Sequence, residues 1–141
     1  MKRLVIFYDP ACGLCSRFRK WMERQPAHLE LEFVGYETEA ARRRFPELAL
    51  LDAGREIVVR GDDGSVWQGP GAWVTCLWAL TEWRDWARRL ASPVLLPLAA
   101  RICHLVSDNR LTISQALRLK GDAALAEEVA LVAGGREGRA P

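Results

Sequence analysis

Arg3-Leu4-Val5-Ile6-Phe7-Tyr8-Asp9-Pro10-Ala11-Cys12-Gly13-Leu14-Cys15 decides how this chain folds and where its chemistry lies. Its first six residues form a short apolar run with the β-branched content of a buried strand. Two cysteines then follow with two residues between them. From Leu14 onward, Leu14, Phe18, Trp21 and Met22 recur at helical spacing. A strand, a tight turn and a Cys-x-x-Cys pair opening a helix is a redox arrangement. The N-terminus of a helix has unpaired N–H groups and a partial positive charge, so a thiolate placed there is stabilised and its pKa falls.

Helical geometry gives the two thiols different roles. At about 100° per residue, the stripe of Leu14, Phe18, Trp21 and Met22 covers roughly 100° of the helix surface. Cys15 falls at its margin and Cys12 well outside it. This predicts an exposed, attacking Cys12 and a shielded, resolving Cys15. Arg17, Arg19 and Lys20 add positive charge in the first turns. The competing reading, two cysteines serving as small core residues, makes the spacing accidental.

The whole chain sets bounds on the function. Its 141 residues, half of them hydrophobic, suffice for one compact domain. A net charge of +2 gives no electrostatic case for nucleic acid, and Arg42-Arg43-Arg44 reads as the solvated face of a short helix. The apolar run after Lys2-Arg3 is too short for a secretory signal and ends at Tyr8-Asp9-Pro10. Pro93 to Val106 is apolar but interrupted by Pro97 and Arg101, short of the roughly 20 residues that span a bilayer. The expectation is a cytoplasmic protein with no membrane partner. Four cysteines in a reducing compartment argue against a disulfide framework. Cys76, on a stripe with Trp73, Leu77 and Leu80, reads as buried core, and Cys103 beside Ile102 and Leu105 reads likewise.

Along the chain, Leu29-Glu30-Leu31-Glu32-Phe33 alternates as a half-exposed edge strand, and a short helix covers Thr38 to Phe45. Ile57 to Arg60 and Ser65 to Gln68 flank a turn at Gly61–Gly64 and read as a hairpin. Gly69-Pro70-Gly71 then opens a helix buried through Trp73, Cys76, Leu77 and Leu80. Strand, helix, strand, helix, hairpin and helix is the core plan of the thioredoxin and glutaredoxin folds. The expected fold is therefore α/β: a four-stranded mixed sheet, first strand central, flanked by helices and followed by a C-terminal helical extension. The expected organisation is a core over 1–82, an extension packed on it over 83–133, and a disordered tail over 134–141. In the extension, Trp83, Trp86 and Leu90, then Leu98, Ile102 and Leu105, are the apolar positions, and one amphipathic helix runs from Ser114 to Val132.

Tyr8-Asp9-Pro10-Ala11-Cys12-Gly13-Leu14-Cys15 resembles the signature of the DCC family of thiol–disulfide oxidoreductases, an Asp-x-x-Cys-x-x-Cys motif just after the first strand. The stretch Asp63-Gly64…Trp67…Gly69…Ala72 and the late Asp108-Asn109-Arg110 match as well, so the resemblance covers roughly Leu4 to Arg110. It implies a thioredoxin-like fold and thiol–disulfide exchange at Cys12 and Cys15, with Asp9 as the third signature residue. Pro10 replaces the more usual glycine. The stretch Asp52-Ala53-Gly54-Arg55-Glu56 before Ile57 also lacks the proline that thioredoxins and glutaredoxins carry there.

Asp9 has two readings that do not exclude each other. It caps the helix, with Pro10 following, or it exchanges a proton with Cys15 as that thiol attacks. For the chain as a whole, three functions compete. The leading one is an oxidoreductase needing no cofactor, with a disulfide-containing substrate and a thiol electron donor as partners. The second is metal or iron–sulfur binding through Cys12 and Cys15, for which Cys103-His104 and His28 are the other candidate ligands. The third is a non-catalytic interaction module, its six tryptophans supplying a partner surface.

Overall fold

β1 (Arg3–Tyr8) lies between β2 (Glu30–Gly35) and β3 (Val58–Gly61), and β4 (Val66–Gln68) completes the sheet, in a computed structural model that describes residues 1–137. β1 pairs in parallel with β2, Arg3 opposite Glu30 and Tyr8 opposite Gly35. It pairs antiparallel with β3, Ile6 opposite Val59, and β3 turns back into β4 through the expected hairpin. The sheet is thus four-stranded and mixed, with β2 on an edge. Helices flank it, and the architecture is the α/β, thioredoxin-like one expected.

The unbroken apolar run of β1 is explained by burial on both faces. Leu4 and Ile6 point one way, into a core with Met22 of α1 (Gly13–Glu23) and Cys76 and Ala79 of α3 (Pro70–Ala79). Val5 and Phe7 point the other way, against Ala41 of α2 (Glu39–Arg44) and Leu48 of the 3-10 turn Pro46–Leu50. Strand alternation with period two therefore builds a three-layer molecule. Thr38 caps α2, its Oγ1 accepting from the Ala41 N–H at 3.2 Å, and Arg42, Arg43 and Arg44 are exposed as expected.

α3 corrects the expected buried face. Its buried line is Ala72, Thr75, Cys76 and Ala79, while Trp73 and Leu77 are half-buried. Small residues bring the helix close to the sheet, and Trp73 packs at the rim against Phe18, ring centroids 4.4 Å apart.

The C-terminal part comprises α4 (Arg84–Leu90), α5 (Leu96–Asp108), α6 (Arg110–Ala116) and α7 (Asp122–Glu137). Four expectations change here. Leu98, Ile102 and Leu105 are 56%, 53% and 65% exposed; α5 turns Val106 and Ser107 inward instead, and it meets α3. Likewise Ala87, not Trp86, is the buried residue of α4. The single helix expected over Ser114–Val132 is two, broken where Arg118 takes φ 52° and the Leu119 N–H returns to the Ser114 carbonyl. Gly121-Asp122 is a start signal for the second helix that the continuing apolar spacing concealed. α7 runs to Glu137, inside the segment expected as a tail; the rest of that segment, 138–141, lies outside the described residues. Among the described residues no helix is long and apolar enough to cross a membrane.

Leu4 is wholly buried and Leu105 largely exposed. Leu4→Ala should therefore cost about 2–5 kcal/mol in urea unfolding. Leu105→Ala should stay within about 0.5 kcal/mol of wild type.

Candidate active site

The turn after β1 delivers Cys12 to the N-cap of α1, with extended backbone (φ −84°, ψ 115°). Its Sγ accepts the Cys15 backbone N–H at 3.2 Å, the place an Asp or Ser oxygen usually fills. Asp9 is therefore not the cap. Its Oδ1 accepts from the Ala11 N–H at 2.9 Å and its Oδ2 from the Arg110 guanidinium at 2.9 Å.

The two thiols differ widely in acidity. A hydrogen bond from the Cys15 thiol pulls Cys12 down to about 6. Burial opposes this, and the Cys15 N–H, the Ser114 hydroxyl and the Arg110 charge add to it. Cys15 is pushed far up, chiefly because it donates to Cys12, then by burial and by the thiolate beside it. Cys12 is thus the more acidic thiol of the pair and Cys15 the less acidic.

The exposures reverse the order expected. Cys12 is wholly buried and Cys15 only half so. A helical wheel registers only how α1 faces its own sheet, whereas the cover over Cys12 arrives a hundred residues later. The crossing between α6 and α7 lies directly on the start of α1. A Cβ on Gly13 would stand 2.5 Å from the Leu119 carbonyl oxygen, and one on Gly121 would stand 2.7 Å from the Ala11 carbonyl carbon. Asp122 fastens the crossing down. Its carboxylate accepts from the Tyr8 hydroxyl and from Arg19 Nε, each at 2.9 Å, and its N–H donates to Ser16 Oγ at 2.9 Å.

Two residues of the site carried no assigned role in the sequence. Arg110, the first residue of α6, reaches Asp9 and the carbonyls of Gly54 and Arg55. Ser114, one turn on, takes the Leu14 N–H on its hydroxyl at 2.9 Å and lies within reach of Cys12. Arg110 was visible only as part of the Asp108-Asn109-Arg110 match, and Ser114 gave no signal. A cavity of about 30 Å³ opens beside Cys15, lined by Tyr8, Asp9, Gly54, Trp73 and Arg110 among others. That is room for a water molecule, not for a peptide.

The remaining candidates stand apart. Cys76 is locked in the core, its thiol pushed up to about 12 by burial, and burial also raises Cys103. His104 faces Glu56 at 3.3 Å rather than a cysteine. Among the described residues no three His, Cys, Asp or Glu side chains gather as metal ligands would.

A family model for DCC1-like thiol-disulfide oxidoreductases matches residues 6–116. The chain belongs to that family. No curated protein and no solved structure matches it. The match takes in Asp9, both cysteines of the pair, Arg110 and Ser114, and it ends before the crossing that buries Cys12. Family membership supports thiol–disulfide oxidoreductase activity for this DCC1-like protein in general terms, without naming a substrate.

Replacing Asp122 removes hydrogen bonds to a charged group, worth about 1.5–3 kcal/mol each. Asp122→Ala should therefore loosen the crossing and speed alkylation of Cys12 at pH 7 about tenfold or more. Mass spectrometry of the Cys12 peptide reads this directly.

Proposed function

We propose that this protein exchanges disulfides through Cys12 and Cys15, with Cys12 as the attacking thiol and Cys15 as the resolving one. The observation that carries the reading is the Cys12 sulfur at the N-cap of α1, accepting the Cys15 N–H at 3.2 Å. There the thiolate is the favoured form near neutral pH, and the thiolate is the nucleophile.

The Cys12 thiolate attacks one sulfur of a substrate disulfide, forms a mixed disulfide and expels the other substrate sulfur as a thiolate. Cys15 then loses its proton and attacks the Cys12 sulfur, which expels the second substrate thiolate. The substrate gains two electrons and two protons, and the protein is left with a Cys12–Cys15 disulfide. A dithiol donor reverses that oxidation. The Cys15 proton needs an acceptor during resolution. Asp9 lines the same cavity as Cys15 and is held there by its ion pair with Arg110, which places it to take that proton.

Cys12 is buried, so attack requires the crossing between α6 and α7 to move aside. In this reading the substrate sulfur enters where Leu119 and Gly121 now lie. The exposed half of Cys15 is the side from which the donor approaches.

Alkylation of Cys12 should follow the thiolate fraction, rising through about pH 6 and levelling above pH 7. A profile centred near 8.5, the value of a free thiol, would remove the basis for the reading. Cys15→Ser should trap mixed disulfides with a disulfide substrate, whereas Cys12→Ser should trap none. Asp9→Asn should slow resolution about 10²–10⁴-fold, the usual worth of general base assistance. Stopped-flow measurement of the second exchange step checks that value.

A further inference from the structure

Arg110 is the most heavily engaged polar side chain of the site. Its side chain is only 14% exposed, like that of its partner Asp9. One terminal nitrogen donates to Asp9 Oδ2 at 2.9 Å and to the Gly54 carbonyl, and the other donates to the Arg55 carbonyl at 3.0 Å. Its Nε is buried without a partner among the described residues. Through one planar group, α6 is tied both to the turn that leads into Cys12 and to the loop before β3. Ser114 ties the same helix to α1, accepting from the Leu14 N–H and donating to the Arg110 carbonyl at 2.6 Å.

Placing a cation here is costly unless its surroundings compensate it. Asp9 supplies one negative charge and the two carbonyls supply dipoles. The remaining negative group within its field is the Cys12 thiolate, and the charge of Arg110 acts on both sulfurs. The loop it grips borders the cavity beside Cys15, so the position of that loop governs what reaches the sulfur. A proline that would stiffen this loop is missing, and Arg110 holds the two carbonyls in its place.

We infer that Arg110 is a positioning residue for disulfide exchange, fixing Asp9 and the loop over residues 53–56 against Cys12 and Cys15 while supplying positive charge to the Cys12 thiolate. The inference rests on the thiolate reading proposed above. It assigns two separable duties to one side chain, because a lysine retains the charge but not the planar fork that bonds a carboxylate and two carbonyls together.

The test compares wild type with Arg110→Gln, Arg110→Lys and a control, Arg43→Gln, which breaks the exposed Arg43–Glu39 pair away from the site. Three quantities are measured: the pH profile of Cys12 alkylation by iodoacetamide, the rates of both exchange steps with a small aromatic disulfide, and urea stability. Arg110→Gln should move the alkylation midpoint upward, because a positive charge that favours the thiolate is lost. It should also slow resolution. Arg110→Lys should keep the midpoint within a few tenths of a unit yet still slow resolution at least tenfold. Arg43→Gln should change neither. A folded Arg110→Gln with the wild-type midpoint and wild-type exchange rates overturns the inference. Should Arg110→Gln fail to fold, wild-type resolution in Arg110→Lys overturns it instead. A wild-type midpoint at the free-thiol value overturns the thiolate reading itself, a failure distinct from that of the variants.

Discussion

Covering both faces of β1 is the constraint on which the rest of the molecule depends. A strand with Leu4 and Ile6 on one side and Val5 and Phe7 on the other cannot lie at a surface, so helices have to pack on each face. α1 is the nearest available cover, and chain connectivity brings it back over the end of β1 from which the strand leaves. The turn between them is short and carries Asp9 and Cys12. The same packing that hides four apolar side chains therefore sets a sulfur at a helix N-terminus, where unpaired N–H groups favour its ionised form.

Two opposing effects act on that sulfur. Burial disfavours a thiolate, and Cys12 is wholly buried. Hydrogen bonds from the Cys15 thiol and N–H favour it, and the nearby Ser114 and the Arg110 charge add to them. The favourable set wins because the donors are fixed by backbone and helix geometry before any charge forms. Cys15 lies on the losing side of the same balance, since whatever stabilises one thiolate repels a second beside it. The more exposed cysteine residue is thus the less acidic one, and residue exposure alone is a poor guide to thiol acidity.

The C-terminal helices complete this site as much as they extend the fold. α6 places Arg110 and Ser114 one turn apart, so both reach the same end of α1. The crossing after α6 then closes over Cys12 because Gly13 and Gly121 offer no Cβ to hold the backbones apart. Different segments bear on the two sides of the site: α6 carries Arg110 and Ser114 next to the start of α1, and Asp122 fastens the crossing that follows. A division into a catalytic core and a packed extension therefore describes the order along the chain rather than the construction of the site.

The sequence by itself determined whatever short-range periodicity and local chemistry express. β1, α1, the edge strand, the hairpin and the cysteine pair follow from alternation, helical spacing and turn residues within windows of about ten residues. The placement of the cysteine pair at a helix N-terminus was legible for the same reason, since that is a local feature. Tertiary structure alone decided the burial of Cys12, the pairing of Asp9 with Arg110 rather than with the helix end, and the outward turn of Leu98, Ile102 and Leu105. Each joins residues some fifty to a hundred positions apart, or depends on which side of an apolar helix meets a neighbour. Apolar spacing specifies that a helix has a face; it does not specify what the rest of the chain lays against it.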